Sequence, residues 1–215
     1  MLANTDRVMS AEDSNPAATP TLREDIEGDA RWMSLHNRFV SDSKDKEPDV
    51  LFVGDSLIQL LHQFGIWRQL FSPLHALNFG VGGDATQHVL WRLSNGELDN
   101  ISPKCCGWAL SIMPILLKQI CGGIMAIVQV IKNKLPNSRT VVLRNAAVNQ
   151  LVQEAVTSLP HASFLNVDPG FVHSNGSISH QDMYDYLHLT PQGFQAVCDP
   201  LHAHLKTMLE KPAEN

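Results

Sequence analysis

A chain of 215 residues with 44% hydrophobic and 18% charged side chains is long enough to bury one proper core, and is read as a single globular domain. Its formal net charge of −6, with no basic cluster, excludes a phosphate-backbone partner, because neutralising phosphates needs Lys and Arg gathered on one face; no nucleic acid is expected. Of the four cysteines, Cys105 and Cys106 are adjacent while Cys121 and Cys198 stand alone, a spacing that signals neither a disulfide framework nor a zinc site.

Residues 1–25, MLANTDRVMSAEDSNPAATPTLRED, are polar and rich in Pro, Ala and Asp. They are expected to be disordered, and they lack the charged start and apolar core of a secretion signal, so a cytoplasmic protein is expected. The folded domain is placed over 26–210, with 211–215 as a tail. RWMSLHNRFVSDSKD reads as a short amphipathic helix, and EPDVLFVGDS as a buried strand broken at Gly54. In LIQLLHQFGIWRQLF, Leu57, Leu60, Leu61 and Phe64 stand at helical spacing, which sets Gly54–Asp55–Ser56 at a strand-to-helix junction. HALNFGVGGD repeats the pattern, with a strand, a glycine turn and then a helix through HVLWRL. KCCGWALSIMPILLKQICGG, Lys104 to Gly123, has the period of neither helix nor strand. Pro114, Lys118, Gln119 and Gly122–Gly123 break it into pieces shorter than the roughly 18 apolar residues a membrane span requires, so no span is expected. PNSRTVVL and ASFLNV read as further strands, with VNQLVQEAVTSL a helix between them. The last helix starts with Thr190 as cap and Pro191 at its first position, and carries Phe194, Val197, Leu201 and Leu205 on one stripe. Strands alternating with helices define an α/β class with a parallel sheet covered on both faces.

Ligands of such sheets gather beyond the carboxyl ends of the strands, where turns present backbone amides and helix N-termini. Ser56 lies in such a turn, with its hydroxyl exposed and a helix end that favours the anion formed in acyl transfer; the plainer reading is that it caps the helix. In DYLHLT, Asp185 and His188 are three apart, so the carboxylate can hold one imidazole nitrogen while the other faces a nucleophile. A hydrogen-bonded structural histidine is the plainer alternative. His173, His180 and Asp182 lie nearby in a spacing that fits no metal-ligand pattern, and no metal is expected. NFGVGGDATQHV sets Gly80, Gly82 and Ala85 in G-x-G-x-x-A order, with Glu97 and Asp99 further on, which spells a dinucleotide fingerprint. It does not open the first βα unit, so no such cofactor is expected. Gly83 has two readings: an unobstructed N–H serving as an oxyanion donor, or a turn that needs positive φ.

VGDS, NFGVGGD and DYLHL together resemble blocks of the SGNH (GDSL) hydrolases. The longer runs RWMSLHNRFVSDSKDKEPDVLFVGDS, LFSPLHALNFGVGGDATQHVLWRLSNGEL and DPGFVHSNGSISHQDMYDYLHLT are similar to the catalytic alpha subunits of the type IB intracellular platelet-activating factor acetylhydrolases, a likeness covering roughly residues 10 to 210. SNPAA resembles the alpha-two (beta) type and HQDMYDYLHL the alpha-one (gamma) type. The resemblance implies a three-layer, flavodoxin-like α/β/α sandwich with Ser56 as nucleophile, His188 as general base and acid, and Asp185 as its orienting carboxylate. The N–H groups of Gly83 and Ser56 would be oxyanion donors. It further implies hydrolysis of the sn-2 acetyl ester of platelet-activating factor without metal or cofactor. Homo- or heterodimers of alpha subunits, docking on a WD-repeat beta subunit linked to lissencephaly, and a cytosolic location follow from it too.

Two segments depart from that family. Where its members have a strand and a GTNN-type turn, whose asparagine is a third oxyanion donor, this chain has CCGWALSIMPILLK, and no Asn stands between Asn100 and Asn133. Reading each codon one base earlier can spell LWVGT, two altered positions and a run compatible with HAHTAE, so a compensated frameshift across about Cys105 to Leu117 is inferred. CCGW is expected to make a poor, damaged third strand. At VVLRNAAVNQ a GLLPRG-type loop is missing; about one to three residues remain where about 2 to 6 are usual, and local unravelling is expected.

Overall fold

Alternation along strand β1 (Val50–Gly54) sorts the core into two halves. Val50 and Phe52 face one side and Leu51 and Val53 the other, as the period of two requires, and all four are fully buried. The computed structural model describes residues 15–109, 117–144 and 149–210. Strands β1, β2 (Ala76–Gly80), β3 (Cys105–Ala109), β4 (Arg139–Arg144) and β5 (Ala162–Asn166) are all parallel, in the order β2-β1-β3-β4-β5. Helices α1 (Arg31–Asp45), α3 (Thr86–Arg92), α4 (Leu117–Lys134) and α5 (Asn149–Thr157) contribute to the half of the core around Leu51 and Val53. Helices α2 (Ser56–Leu61) and α6 (Pro191–Glu210) contribute to the half around Val50 and Phe52. The result is the expected three-layer α/β/α sandwich. From β1 the chain steps first to β2 on one side and then across to β3 on the other, which opens a crevice beyond the carboxyl end of β1.

The helix expected over LIQLLHQFGIWRQLF divides in two. α2 ends at Leu61, and a second helical turn spans Trp67–Phe71. The break lets Trp67 and Phe71 fold back on Phe52, with ring centroids 5.4 and 4.9 Å away. A straight helix would carry these two large side chains away from the sheet.

The expectation of disorder as far as residue 25 is corrected over 15–25. Asn15 caps a short 3-10 turn, Pro16–Ala18, and its Nδ2 donates to the Gln119 carbonyl at 2.9 Å. The Ala17 carbonyl accepts from Thr86 Oγ1 at 2.7 Å, and the Thr21 N–H donates to the Gln87 carbonyl at 3.0 Å. The segment is thus a strap across α3 and α4. Its seat is Gly122–Gly123, since a Cβ on Gly123 would stand 2.5 Å from the Ala17 carbonyl oxygen. Hydrophobic patterning could not reveal it, because its anchors are hydrogen bonds from Asn15, Thr86 and Thr21 to single backbone carbonyls, and one small alanine. Residues 1–14 and 211–215 lie outside the described residues, and with them the expectations for the extreme ends.

β3 departs from the expectation of a damaged strand. Cys105–Ala109 pairs in five-residue register with β1 on one side and β4 on the other, and both cysteines are fully buried. Gly107 leaves the room the Phe52 ring occupies; a Cβ there would come within 3.2 Å of it. Residues 110–116, on which the expectation of a missing GTNN-type turn falls, lie outside the described residues. So do residues 145–148, and with them the expectation of a shortened, unravelled connection at VVLRNAAVNQ. Among the described residues no helix is long and apolar enough to cross a membrane.

Candidate active site

Asp55, not Ser56, caps α2. Its carboxylate accepts from the Leu57 N–H at 3.0 Å, while the residue itself is 2% exposed. That arrangement leaves the Ser56 hydroxyl for another partner, and His188 Nε2 lies 3.0 Å from Ser56 Oγ across 132 residues of sequence. On the far side of the ring, His188 Nδ1 lies 2.6 Å from Asp185 Oδ2. An ionised carboxylate only accepts, so Nδ1 carries the proton and Nε2 is the acceptor facing the serine. An Asp–His–Ser relay therefore stands beyond the carboxyl end of β1.

The loop that delivers Asp185 and His188 is held by its own backbone. Met183 and Leu189 are both buried and form an antiparallel bridge, and the Tyr184 N–H donates to the His188 carbonyl at 3.2 Å. Asp185 Oδ1 accepts from the N–H groups of Leu187 and His188 at 3.1 and 2.6 Å. The hydrogen bond from His188, joined by those backbone bonds, lowers the Asp185 carboxyl from its ordinary value to about 2. The Tyr184 ring stacks on the imidazole with centroids 5.8 Å apart.

The glycine turn after β2 closes the other side. A Cβ built on Gly82 would stand 4.0 Å from the Ser56 Cβ, so the turn passes beside the serine. Gly82 N–H donates to Gln59 Oε1 at 3.0 Å, and Gly83 has φ +77°. Nothing among the described residues accepts a hydrogen bond from the Gly83 N–H. Below the turn sits a buried ionic cluster. Arg92, with no exposed surface, bonds Asp84 at 2.8 Å, Glu97 at 2.7 Å and the Phe79 carbonyl at 3.1 Å. His36 Nδ1 lies 2.9 Å from Glu97, and Trp32 Nε1 donates to Asp84 at 2.7 Å. Burial alone would lower the Arg92 pKa, but the Glu97 and Asp84 carboxylates outweigh it and raise it.

This cluster also answers the dinucleotide spelling. Glu97 is spent on Arg92 and His36, and Asp99 pairs with Lys134, so neither is placed to hold a ribose. Gly80 is a glycine because a Cβ would stand 2.3 Å from the Gln59 nitrogen. His180 contacts the Tyr186 hydroxyl at 3.3 Å, and among the described residues no three His, Cys, Asp or Glu side chains gather as a metal would need. A cleft of about 470 Å³ lies between residues 23–35 and Gln59, Val81 and Gly82, and no member of the relay lines it. The sequence reading missed Asp55, although an acidic residue at a strand-to-helix junction is an N-cap signal. It also missed Arg92, for which no local signal exists.

Fold and site together are a parallel α/β sheet with an Asp–His–Ser arrangement of the serine-hydrolase kind at its rim. No family model matches the chain. It is 55% identical over 217 residues to platelet-activating factor acetylhydrolase IB subunit alpha1 of Homo sapiens, covering 94% of each chain. It is 52% identical over 222 residues to subunit alpha2 of Rattus norvegicus, covering 96% of this chain and 97% of that one. The chain belongs to the family of platelet-activating factor acetylhydrolase IB alpha subunits. Among solved structures, a Streptococcus pneumonia protein named for platelet activating factor shares the fold with a TM-score of 0.67 at 19% identity, over 81% of this chain and 92% of that one. An acetyl esterase variant with an acetate ion shares it with a TM-score of 0.56 at 12% identity, over 77% and 98%.

Proposed function

We propose that the chain is a serine esterase acting on the sn-2 acetyl ester of platelet-activating factor. The Asp185–His188–Ser56 relay carries this reading, and the names of its relatives supply the substrate. Ser56 Oγ attacks the acetyl carbonyl as His188 Nε2 takes its proton, and Asp185 steadies the imidazolium. The oxyanion draws on the N–H groups of Gly83 and Ser56, the latter at the first helical position where no intrahelical acceptor exists. His188 then returns the proton to the departing lyso-lipid alkoxide, and water releases acetate from the acyl-serine by the same steps. No metal or cofactor enters this chemistry. The protein works in the cytoplasm as a homo- or heterodimer of alpha subunits and docks on a WD-repeat beta subunit.

Activity is reduced in this reading. No Asn stands between Asn100 and Asn133, and losing one oxyanion donor commonly costs about a hundred- to a thousandfold in rate. The same observation favours a second reading, a binding subunit without catalysis that keeps the dimer and beta-subunit surfaces. A fluorophosphonate probe separates the two. Labelling of purified folded chain that disappears in Ser56→Ala supports the esterase; a folded chain left unlabelled supports the binding subunit. Sequencing the gene tests the frameshift: an alternate frame that does not spell the expected turn disposes of it.

A further inference from the structure

We propose that Arg23 is a positioning residue for the reaction, holding and polarising the one peptide unit whose N–H is the Gly83 oxyanion donor. This rests on the esterase reading. Arg23 Nη1 donates to the Gly82 carbonyl oxygen at 2.8 Å. That oxygen and the Gly83 N–H belong to the same planar peptide, which is trans and so points them in opposite directions. A grip on the oxygen therefore fixes where the N–H aims.

The charge adds a second effect. A cation bonded to a carbonyl oxygen strengthens the dipole of the whole amide, and the N–H at its other end becomes a better donor to a developing anion. Arg23 is not merely neutralising Asp84. That carboxylate is already bonded by buried Arg92 at 2.8 Å and by Trp32 at 2.7 Å, and Arg23 reaches it only at 3.7 Å.

The turn is shaped for this approach. A Cβ on Gly83 would stand 3.0 and 3.1 Å from the two terminal nitrogens of Arg23, so the guanidinium occupies the side-chain space that glycine leaves vacant. Gln59 holds the preceding N–H, that of Gly82, and Arg23 completes the clamp from outside, its side chain 36% exposed. The strap of residues 15–21, anchored on Gln119, Thr86 and Gln87, brings Arg23 to this position. The strap thereby contributes to the chemistry as well as to packing.

The test compares full-length wild type, Arg23→Ala and Arg23→Lys. Each is measured for the fluorophosphonate labelling rate of Ser56, for kcat and KM on p-nitrophenyl acetate, for thermal midpoint, and for the Gly83 amide proton resonance. Arg23→Ala is expected to lower kcat and labelling rate about tenfold with KM nearly unchanged, since only the transition state carries the oxyanion. The Gly83 amide proton moves upfield in the same variant. Arg23→Lys, or guanidinium ion added to Arg23→Ala, restores part of the rate. Arg23→Ala that labels and turns over like wild type overturns the proposal, as does a loss confined to KM. A rate loss that tracks a lowered thermal midpoint, with the Gly83 resonance unmoved and no rescue, also overturns it and leaves Arg23 a packing residue. Wild type that never labels overturns the esterase reading and the Arg23 proposal together, whereas labelled wild type with an indifferent Arg23→Ala overturns the second alone.

Discussion

One carboxylate at Asp185 serves two purposes, with Oδ2 on the imidazole and Oδ1 on the loop backbone. Both favour the ionised form, which is why the carboxyl falls to about 2. A depressed folded-state pKa contributes stability that is complete above the ordinary value of 3.8 and is lost as pH falls toward about 2. A carboxyl-carbon NMR titration should therefore find Asp185 ionised at pH 3, and activity lost at milder acidity would have another cause. Arg92 is the opposite kind of charge, sealed among Asp84 and Glu97. Arg92→Met strands both carboxylates in the interior, and urea unfolding should show a loss of about 3 to 5 kcal/mol. Ser56, His188 and Asp185 stood out as candidates because the chemistry proposed for them needs those residue types at a strand end and before a helix, and the structure brings the three side chains together. Arg92 was not, since a guanidinium in HVLWRL reads as a solvated face until coordinates show two carboxylates around it.

At the scale of the element, β3 is the instructive case. CCGW looks unfit for a central strand, yet small side chains suit a position flanked by Phe52, itself wedged between Trp67 and Phe71. Phe52 has no exposed surface and no room to retreat. Gly107→Val should accordingly overpack this site and cost about 1 to 3 kcal/mol by thermal or urea unfolding, even though valine is the better strand former. α1, by contrast, was legible to its ends: RWMSLHNRFVSDSKD is the helix Arg31–Asp45, and Phe39 from its apolar stripe stacks on Phe79 at 4.7 Å. The strap of residues 15–25 was not, because nothing in its composition distinguishes a chain held by carbonyls of α3 and α4 from one held by water.

Across the whole molecule, the parallel sheet divides the cysteines as it divides the core. Cys105 and Cys106 are neighbours in β3 yet belong to opposite halves. Burial pushes the thiols of Cys106 and Cys198 up to about 12 and raises that of Cys105. Cys121 is only partly buried. With a disulfide reagent at pH 8, one thiol should react promptly in the folded protein and all four after denaturation; prompt reaction of three or four would mean that β3 opens readily. The order of apolar runs and glycine turns was enough to specify alternating strands and helices, and with them a parallel α/β sheet with Ser56 at its rim, because each of those features depends on neighbours in sequence. What lay beyond reach were contacts between distant segments: the helix broken so that Trp67 meets Phe52, Arg92 among its carboxylates, and Arg23 against the glycine turn. Contacts of this kind, ring against ring or charge against charge, leave no period in the chain, so they are determined only when folding brings their distant partners together.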